Sequence, residues 1–343
     1  ATNFVIAAGS RAGVPPIEGL KDVAYYTNET VFDELAGRPE RMMVLGGGPI
    51  GCELGQAFAR LGVRVTIVEV LPRILEKEDP DAAALVQRAL EAEGVRVVTG
   101  ARVRRASSEG RIVRLELEGG ERLEAEALLV AAGRVPNVDG LGLEAAGVAF
   151  DAKKGIAVNE HLQTSQPHIY AAGDIAGSYQ FTHVADHQAR TVVRNVLTPW
   201  LKAKVDYSAL PWCTYTDPEV ARVGLNETEA KQKEVAHEVW LQPFDEVDRA
   251  VVESQEEGFA KVLTARGTDR ILGATIVGER AGDLIHELVL AMRHGIGLKA
   301  ISSTIHAYPT FAEVTRKAAD RYQKSRLTPR ARRLFDWLYR RRR

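Results

Sequence analysis

The clearest pattern in the chain is an alternation of apolar and helical segments between residues 41 and 70. The apolar run Met42–Leu45 predicts a buried strand, and a glycine-rich turn follows it directly. A helix is predicted from about Pro49 to Leu61, and the apolar run Val63–Val68 predicts a second strand. Apolar strands that alternate with helices are typical of a parallel sheet, so this stretch predicts an α/β fold.

The turn between the first strand and the helix has the residues that a dinucleotide requires. Gly46 permits a tight turn, Gly48 has no Cβ to block a pyrophosphate, and Gly51 allows helix and strand to approach closely. Glu69 follows the second strand and can accept hydrogen bonds from the adenosine ribose hydroxyls. We therefore predict that Glu69 binds a dinucleotide together with the turn residues Gly46, Gly47, Gly48, Pro49, Ile50 and Gly51.

The acid at the end of the second strand also indicates which nicotinamide cofactor binds. A 2′-phosphate would be repelled by Glu69 and would require a cation there. Val70 and Leu71 follow Glu69, and the first cation is Arg73. We therefore expect NADH to be preferred over NADPH.

The pattern after Glu69 first continues the α/β unit and then changes. A helix at Asp81–Glu93 precedes an alternating stretch at 101–126, which predicts an antiparallel hairpin or meander. The apolar run 127–133 predicts a return to the parallel sheet. Beyond Pro199, alternating strands and the amphipathic helix Ala281–His294 predict a separate α+β domain.

Two predicted strands end in small residues. The first is predicted to be a buried strand that runs from Asn3 into Ala8, Gly9 and Ser10, and the second ends at Ala171-Ala172-Gly173-Asp174. Small residues allow close approach of a ligand or of another strand, and Asp174 can bind a ligand hydroxyl or cap a turn. Thr182 is a candidate N-cap for a helix from His183 to about Leu197.

Charge and cysteine content limit the function. The formal net charge is −1, whereas the stretch 330–343 holds seven Arg and one Asp, so residues 1–329 carry −1 − 6 = −7. An acidic body argues against nucleic acid as a partner. Cys52 and Cys213 form no metal-ligand or disulfide framework, and no metal site is predicted. No long apolar run or signal peptide is apparent, and we expect a cytoplasmic protein.

The basic stretch at the end of the chain has two possible interpretations. Leu334, Trp337 and Leu338 lie on one face of a predicted helix among arginines. A basic amphipathic helix can lie on a membrane surface or on another subunit. The other interpretation is a solvated tail, which we favour.

The segment Ile305–Glu313 is dense in groups that can share or move protons. It contains His306, Tyr308 and Glu313. One interpretation is a turn that begins a helix, with Pro309 near the first helical position and Thr310 near the cap. The other is a site of proton transfer.

Together, these segments resemble the FAD-dependent pyridine nucleotide-disulfide oxidoreductases. The resemblance covers about residues 1–329, and five separated motifs occur in the family's order. They are IAAGS (6–10), LGGGPIGCE (45–53), AAGRVPN (131–137), IYAAGDIAG (169–177) and HAYPTFAE (306–313). The resemblance implies an α/β architecture with a Rossmann-type NAD-binding domain inserted in a partial FAD-binding domain, followed by a C-terminal α+β dimerisation domain.

The resemblance also implies domain boundaries. The segments are the end of the first FAD part (1–38), the NAD(H) domain (39–140), the second FAD part (141–205), the dimerisation domain (206–325) and the basic tail (326–343). A homodimer through residues 206–325 follows from this assignment.

Roles for individual residues follow from the same resemblance. Ala8, Gly9 and Ser10 would line the FAD, and Asp174 would bind its ribityl or pyrophosphate region. Gly133 would contact the nicotinamide nucleotide. Glu53 matches a glutamate that pairs with a lysine beside the flavin in relatives. The segment HAYPT would complete the active site of the partner subunit.

Two departures from the family pattern matter. The printed sequence has neither the FAD-binding GxGxxG nor the redox CxxxxC that the family carries near its N-terminus, so we expect a fragment that is inactive alone. Tyr308 stands where dihydrolipoyl and glutathione reductases have a histidine base. Mercuric reductases also carry Tyr in this region, and the chain looks closest to the branch that includes mercuric reductases and dihydrolipoyl dehydrogenases.

We therefore predict a flavoprotein that moves electrons from NAD(P)H through FAD to a small-molecule, thiol, disulfide or metal-type acceptor, with a role in cell redox homeostasis. Tyr308 and Glu313 are the predicted acceptor-side pair, with His306 as a further candidate. Dihydrolipoyl dehydrogenase and soluble transhydrogenase are alternative enzyme activities. An alternative from another class is a truncated, non-catalytic module for nucleotide binding and dimerisation.

Overall fold

The computed structural model describes residues 1–177, 179–327, 333, 337 and 339. The chain groups into two compact units. The first comprises Ala1–Ile74 and Gly94–Tyr207, and the second comprises Leu75–Glu93 and Ser208–Arg343. Most of the predicted basic tail, 330–343, lies outside the described residues.

The described α-helices are α1 (Val31–Glu34), α2 (Pro49–Arg60), α3 (Pro80–Ala92), α4 (Thr182–Leu197), α5 (Glu227–Gln232), α6 (Asp248–Val252), α7 (Ala281–Arg293), α8 (Leu298–Ser303) and α9 (Glu313–Ser325). The described β-strands are β1 (Phe4–Ile6), β2 (Ser10–Ala12), β3 (Arg41–Leu45), β4 (Arg64–Val68), β5 (Arg96–Val98), β6 (Val103–Glu109), β7 (Ile112–Leu117), β8 (Arg122–Ala125), β9 (Ala127–Val130), β10 (Arg134–Pro136), β11 (Phe150–Asp151), β12 (Gly155–Ile156), β13 (Ile169–Ala171), β14 (Pro211–Thr214), β15 (Glu219–Gly224), β16 (His237–Pro243), β17 (Phe259–Ala265) and β18 (Ile271–Gly278). None of the described helices is long and apolar enough to span a bilayer.

The first unit contains a four-stranded parallel sheet with strand order β5-β4-β3-β9. Helix α2 connects β3 to β4, as the βαβ pattern predicts. The residues Met42–Leu45 of β3 are all buried: Met43 and Leu45 belong to a core on one face of the sheet, and Val44 lies against Gly51 of α2 on the other. The predicted Rossmann-type α/β arrangement is confirmed.

A three-stranded antiparallel sheet, β6-β7-β8, interrupts this unit. Val113, Leu115 and Leu117 of β7 are buried, while the residues between them are more exposed. Their side chains share a core with Leu128 and Val130 of β9. The alternation of apolar and polar residues therefore predicted the antiparallel meander correctly.

The two small-residue strand ends belong to short strand pairs in the first unit. β1 pairs with β13 in parallel, and β2 pairs with β10 in antiparallel register. The sequence predicted a buried first strand, but Phe4 and Val5 are 50% and 52% exposed. This expectation is wrong because, among the described residues, β1 has β13 as its single neighbour, so its other edge is open.

The second unit is built on a five-stranded antiparallel sheet with strand order β14-β15-β18-β17-β16. Its core contains Val262 and Ile276 from the sheet together with Leu288 of α7 and Val314 of α9. This is the α+β domain that the alternating strands predicted. Helix α3 is grouped with this unit although it connects strands β4 and β5 of the first.

Two predicted helix starts are wrong. Phe181, with φ −126° and ψ 142°, is the N-cap of α4, so Thr182 is already helical. Helix α9 begins at Glu313 rather than near Pro309. The Thr310 hydroxyl donates a hydrogen bond to the carbonyl oxygen of Ala307 (2.8 Å) and thereby stabilises the preceding turn instead of capping a helix.

The start of β17 provides a test of the C-terminal sheet. Gly258 has φ +130°, and a Cβ there would lie 2.0 Å from the carbonyl oxygen of Val277. We expect Gly258→Ala to lower the free energy of unfolding by about 3 kcal/mol or more, because it combines backbone strain with overpacking. The measurement is urea denaturation of the purified chain.

Gly267→Ala is the matched control for this variant. Gly267 has φ +76°, but a Cβ there would meet nothing within 4 Å. The control should lower the free energy of unfolding by about 1 kcal/mol, because it adds backbone strain alone. Equal losses of stability in the two variants would contradict the prediction.

Candidate functional site

The glycine turn between β3 and α2 brings backbone segments closer than any side chain would allow. Gly46 has φ +116°, and a Cβ there would lie 2.5 Å from the carbonyl oxygen of Ala131. A Cβ on Gly51 would lie 1.9 Å from the carbonyl oxygen of Gly46. Real Cβ atoms do not approach oxygen so closely, so both positions require glycine for the turn itself.

Gly48 differs from its neighbours because it faces open space. It is the N-cap of α2 with φ −75° and ψ −177°, and a Cβ there would meet nothing within 4 Å. Pro49 is exposed and Ile50 is half-buried in the first helical turn. The N–H groups of a first helical turn lack intrahelical partners, so this open end of α2 can accept an anion.

Glu69 is held against the same turn by two backbone donors. The N–H of Gly47 donates to Glu69 Oε2 (2.6 Å), and the N–H of Leu71 donates to Oε1 (2.7 Å). The residue is only 8% exposed. Each carboxylate oxygen keeps acceptor capacity beyond its backbone partner, so the group can still receive ribose hydroxyls.

Cys52 lies on the buried side of α2 and has the properties of a core residue. Its thiol contacts the carbonyl oxygen of Gly47 (3.3 Å), and burial together with the charges of Glu53 and Glu69 raises its pKa. The thiolate is the reactive form of cysteine, so this thiol is inert at neutral pH. Glu53 lies on the same helix and is half-buried.

A second group of predicted residues meets where β2 pairs with β10. The side-chain amide of Asn137 donates to the carbonyl oxygen of Ala8 (2.9 Å), and its backbone N–H donates to that of Gly9 (3.0 Å). Gly133 accepts a hydrogen bond from the N–H of Gly13 (2.8 Å). The motifs IAAGS and AAGRVPN, more than 100 residues apart, are therefore hydrogen-bonded to each other.

Asp174 joins this second group through its carboxylate. The hydroxyl of Ser10 donates to Asp174 Oδ2 (2.5 Å), and Arg134 Nε lies 3.3 Å from the same oxygen. Arg134 Nε also donates to the Ser10 hydroxyl oxygen (2.7 Å). Gly9 has φ +67°, and a Cβ there would meet nothing within 4 Å, so space for a ligand remains beside the cluster.

Sequence reasoning did not single out Arg134 or Asn137 as site residues. Both lie in AAGRVPN, and their partners come from the IAAGS strand through the β2–β10 pairing. The available signal in the sequence was that a cation and an amide, Arg134 and Asn137, follow closely on a strand that ends in small residues. The pairing that uses them is tertiary and has no local sequence pattern.

Tyr308 is 69% exposed, and its phenol is hydrogen-bonded to an acid that the sequence did not indicate. The hydroxyl donates to Asp248 Oδ2 (2.8 Å). This hydrogen bond, together with the negative charge of Asp248, raises the pKa of Tyr308. The phenol is therefore a proton donor at neutral pH and a poor base.

The other two predicted acceptor-side residues have different partners. Glu313 is 4% exposed, its Oε1 accepts from Arg316 Nη2 (2.9 Å), and its Oε2 has no hydrogen-bond partner among the described residues. The imidazole of His306 lies between Glu287 Oε1 (2.9 Å) and the carbonyl oxygen of Thr304 (3.0 Å). The structure therefore forms no direct hydrogen bond among Tyr308, Glu313 and His306.

The described residues include no group of three or more His, Cys, Asp or Glu side chains arranged to hold a metal ion. The two cysteines are free thiols, Cys52 buried and Cys213 half-buried. The first unit contains an open helix start beside Gly48 with the carboxylate of Glu69 held against the same turn, and it also contains a separate hydrogen-bonded cluster around Asp174. The second unit offers the exposed phenol of Tyr308.

Comparison with known proteins agrees with this arrangement. Residues 1–189 match the family model described as pyridine nucleotide-disulphide oxidoreductase. Residues 210–319 match the model of the dimerisation domain of the same family.

Curated relatives include two kinds of enzyme. A mercuric reductase of Lysinibacillus sphaericus is 38% identical over 327 residues, covering 94% of this chain and 60% of the relative. A dihydrolipoyl dehydrogenase of Chlamydia muridarum is 36% identical over 323 residues, covering 93% of this chain and 68% of the relative. The chain thus spans less than two thirds of the length of that mercuric reductase.

A solved structure has the same fold. The HOCl-induced flavoprotein disulfide reductase RclA from Escherichia coli superposes with a TM-score of 0.86 at 29% identity, covering 93% of this chain and 73% of RclA. The predicted family is therefore confirmed, and this family binds FAD and NAD(P). This chain belongs to the pyridine nucleotide-disulfide oxidoreductase family.

Proposed function

We propose that this chain forms the NADH-binding part of a flavoprotein oxidoreductase, together with part of its flavin site. In the working enzyme, electrons pass from NADH through FAD to a disulfide or metal-type acceptor. The observation that carries the proposal is the glycine turn, in which Gly48 faces open space beside a helix start while Glu69 is hydrogen-bonded to Gly47.

The residues of the first unit fit NADH. The open helix start beside Gly48 receives the pyrophosphate, and the missing Cβ leaves room for it. The carboxylate of Glu69 receives the adenosine ribose hydroxyls and repels a 2′-phosphate. Its two backbone hydrogen bonds hold it in place before the cofactor arrives, so little ordering is needed on binding.

The cluster around Asp174 fits the flavin cofactor. FAD, when bound, supplies the electron transfer chemistry of the reaction. Asp174 receives a ribityl hydroxyl, while Ser10 and Arg134 hold its carboxylate in position. Ala8 and Gly9 lie against the cofactor through their backbone, and Gly133 lies on the nicotinamide side.

The second unit supplies the acceptor side. The phenol of Tyr308 donates its single O–H to Asp248 in the structure, and it can turn this O–H toward the acceptor when the acceptor binds, because the carboxylate of Asp248 keeps the phenol protonated until then. The buried Oε2 of Glu313 and the imidazole of His306 are the further candidates. Mercuric reductases and dihydrolipoyl dehydrogenases both resemble the chain, and the tyrosine in place of a histidine base favours a mercuric-reductase-like acceptor.

The working form is a homodimer through residues 206–325. The match of residues 210–319 to a dimerisation-domain model supports this proposal. Ile305, next to the predicted acceptor-side residues, is 97% exposed, as expected for a residue that another subunit covers. The loop that carries Tyr308 then completes the active site of the partner subunit.

The second candidate is a non-catalytic module for nucleotide binding and dimerisation. The cysteine content favours this candidate. The printed sequence contains two cysteines, Cys52 and Cys213, and burial raises the pKa of Cys52, which makes its thiol unreactive. The buried thiol of Cys52 therefore lacks the thiolate character that a redox dithiol needs.

Titration of the purified chain with FAD and then with nicotinamide cofactors decides between these candidates. The proposed enzyme predicts a yellow protein whose flavin absorbance is bleached by NADH under anaerobic conditions, and more slowly by NADPH because of Glu69. A colourless protein that still binds NADH would favour the module. Equal bleaching rates with NADH and NADPH would contradict the cofactor preference.

Substitution of Gly48 tests the nucleotide site without disturbing the fold. Gly48 has ordinary backbone angles and an open Cβ position, so Gly48→Ala should leave the melting temperature unchanged. The added methyl group occupies the space meant for the pyrophosphate, so the Kd for NADH should rise about tenfold or more. Isothermal titration calorimetry measures this Kd.

Gly37→Ala is the matched control for the Gly48 variant. A Cβ on Gly37 also meets nothing within 4 Å, but this residue lies outside the turn. The control should bind NADH with the wild-type Kd. Unchanged NADH binding in Gly48→Ala would place the pyrophosphate elsewhere and contradict the proposed site.

The phenol of Tyr308 can be tested by its titration. Asp248→Asn removes the anion that disfavours the phenolate, so the pKa of Tyr308 should fall. The measurement is phenolate absorbance against pH, with the signal of Tyr308 isolated by subtracting a Tyr308→Phe background. Asp245→Asn, at an exposed acid nearby, is the control and should leave the titration unchanged. A constant or higher pKa in Asp248→Asn would contradict the hydrogen bond.

A further inference from the structure

The loop between α8 and α9 carries Tyr308 at an exposed position of the second unit. Ile305 and Tyr308 are 97% and 69% exposed, whereas Phe311 at the end of the loop is packed into the core. The described segment 305–310 lies outside helices and strands. An exposed segment without regular backbone hydrogen bonds is easily displaced unless its side chains attach it to the rest of the fold.

Side chains of this segment reach neighbouring helices at Tyr308 and at His306. The phenol of Tyr308 donates to Asp248 Oδ2 of α6 (2.8 Å), and Nε2 of His306 lies 2.9 Å from Glu287 Oε1 of α7. The side chain of His306 is only 8% exposed, although the residues on either side of it are exposed. His306 is therefore the point at which the loop is held against α7.

The two ring nitrogens of His306 both face oxygen acceptors. Nδ1 lies 3.0 Å from the carbonyl oxygen of Thr304, and Nε2 faces the carboxylate of Glu287. Both contacts are hydrogen bonds only if each nitrogen carries a proton, so the imidazole is a cation in this arrangement. A hydrogen bond between an imidazolium and a carboxylate is stronger than one between neutral groups. The loop is thus attached to α7 by a charge-assisted hydrogen bond.

The attachment at Tyr308 is of a different kind, because it has to open when the phenol is used. Tyr308 has a single O–H, so this group must leave Asp248 before it can donate to an acceptor. The loop then loses that attachment, while the hydrogen bond between His306 and Glu287 remains. The position of Tyr308 at that moment depends on the attachment at His306.

We propose that Glu287 and His306 are positioning residues, which keep the loop in place while Tyr308 turns toward the acceptor. They act on Tyr308 through the short backbone connection from His306, and neither has to touch the acceptor. His306, a candidate for contact with the acceptor, thereby acts through Tyr308 instead. This inference deepens the proposed function, because it rests on the role of Tyr308 at the acceptor side.

The test compares His306→Leu with His237→Leu in the full 343-residue chain. His237 lies on β16 of the same unit, and its Nδ1 is also close to the carbonyl oxygen of the residue two positions before it, Val235 (2.7 Å). The chemical change and the local contact are therefore matched, but His237 does not lie in the loop.

Three quantities are measured for each variant. They are the hydrogen–deuterium exchange of residues 304–311, the melting temperature, and the NMR shift of the labelled ring carbon that bears the phenol oxygen of Tyr308. This last signal is assigned by its loss in Tyr308→Phe, and it reports whether the phenol is hydrogen-bonded to Asp248.

Positioning predicts that His306→Leu accelerates the exchange of residues 304–311 about tenfold or more. It also predicts that the Tyr308 signal moves toward that of free tyrosine, because a displaced loop carries the phenol away from Asp248. His237→Leu should change neither quantity. A purely structural role predicts a lower melting temperature with unchanged exchange in the loop and an unchanged Tyr308 signal, and this result would overturn the proposal.

Two variants of Glu287 test the same contact from α7 and keep the test decisive if His306→Leu does not fold. Glu287→Met removes the acceptor and should reproduce His306→Leu. Glu287→Gln should retain the wild-type values, because its carboxamide can donate to a neutral Nε2 while Nδ1 keeps its proton for Thr304. Fast exchange in Glu287→Gln, or wild-type exchange in Glu287→Met, would overturn the proposal.

Failure of the proposed function has a different signature from failure of this inference. If the loop responds as expected but the chain loaded with FAD passes electrons from NADH to no acceptor, the attachment of the loop stands and the proposed activity fails. If electrons reach an acceptor while Glu287→Met leaves both the loop exchange and the KM for that acceptor unchanged, the activity stands and the positioning role fails.

Discussion

The proposed nucleotide site depends on the close approach of Gly51 to the carbonyl oxygen of Gly46. Any side chain at Gly51 would place its Cβ 1.9 Å from that oxygen, so helix α2 could not begin where it does. Because α2 begins there, Gly48 faces open space and the N–H of Gly47 points at Glu69. One steric constraint therefore determines both the open space at Gly48 and the orientation of the Glu69 carboxylate.

The cluster around Asp174 depends on a different kind of interaction. Antiparallel pairing of β2 with β10 brings Ser10 and Arg134 together, and both bind the carboxylate of Asp174. Three motifs that are separated by more than 30 residues in sequence thus share one hydrogen-bonded group. An acid held by a cation and a hydroxyl is already oriented, so a ligand hydroxyl meets an acceptor that needs no rearrangement.

The acceptor side shows how one acid can change the role of a neighbouring residue. The sequence places Tyr308, Glu313 and His306 within eight residues, yet each has a separate partner in the structure: Asp248, Arg316 and Glu287. The pKa of Tyr308 is raised by Asp248, so the phenol retains its proton. A protonated phenol suits an acceptor that needs a hydrogen-bond donor more than one that needs a base.

The sequence by itself determined the order of elements, the parallel sheet and the glycine turn. These follow from local rules, since buried strands need apolar runs and a left-handed or crowded turn needs glycine. The antiparallel meander was equally predictable, because its alternation of apolar and polar residues records which face is buried.

Tertiary structure alone decided which side chains meet. Phe4 and Val5 are exposed because β1 lies at a sheet edge, and nothing in an apolar run records the number of neighbouring strands. Asp248 binds Tyr308, which is 60 residues away in the sequence, and Lys261 binds Asp79, which is 182 residues away. Hydrogen bonds and ion pairs of that range depend on how strands and helices pack, and packing leaves no periodic signal in the sequence near either partner.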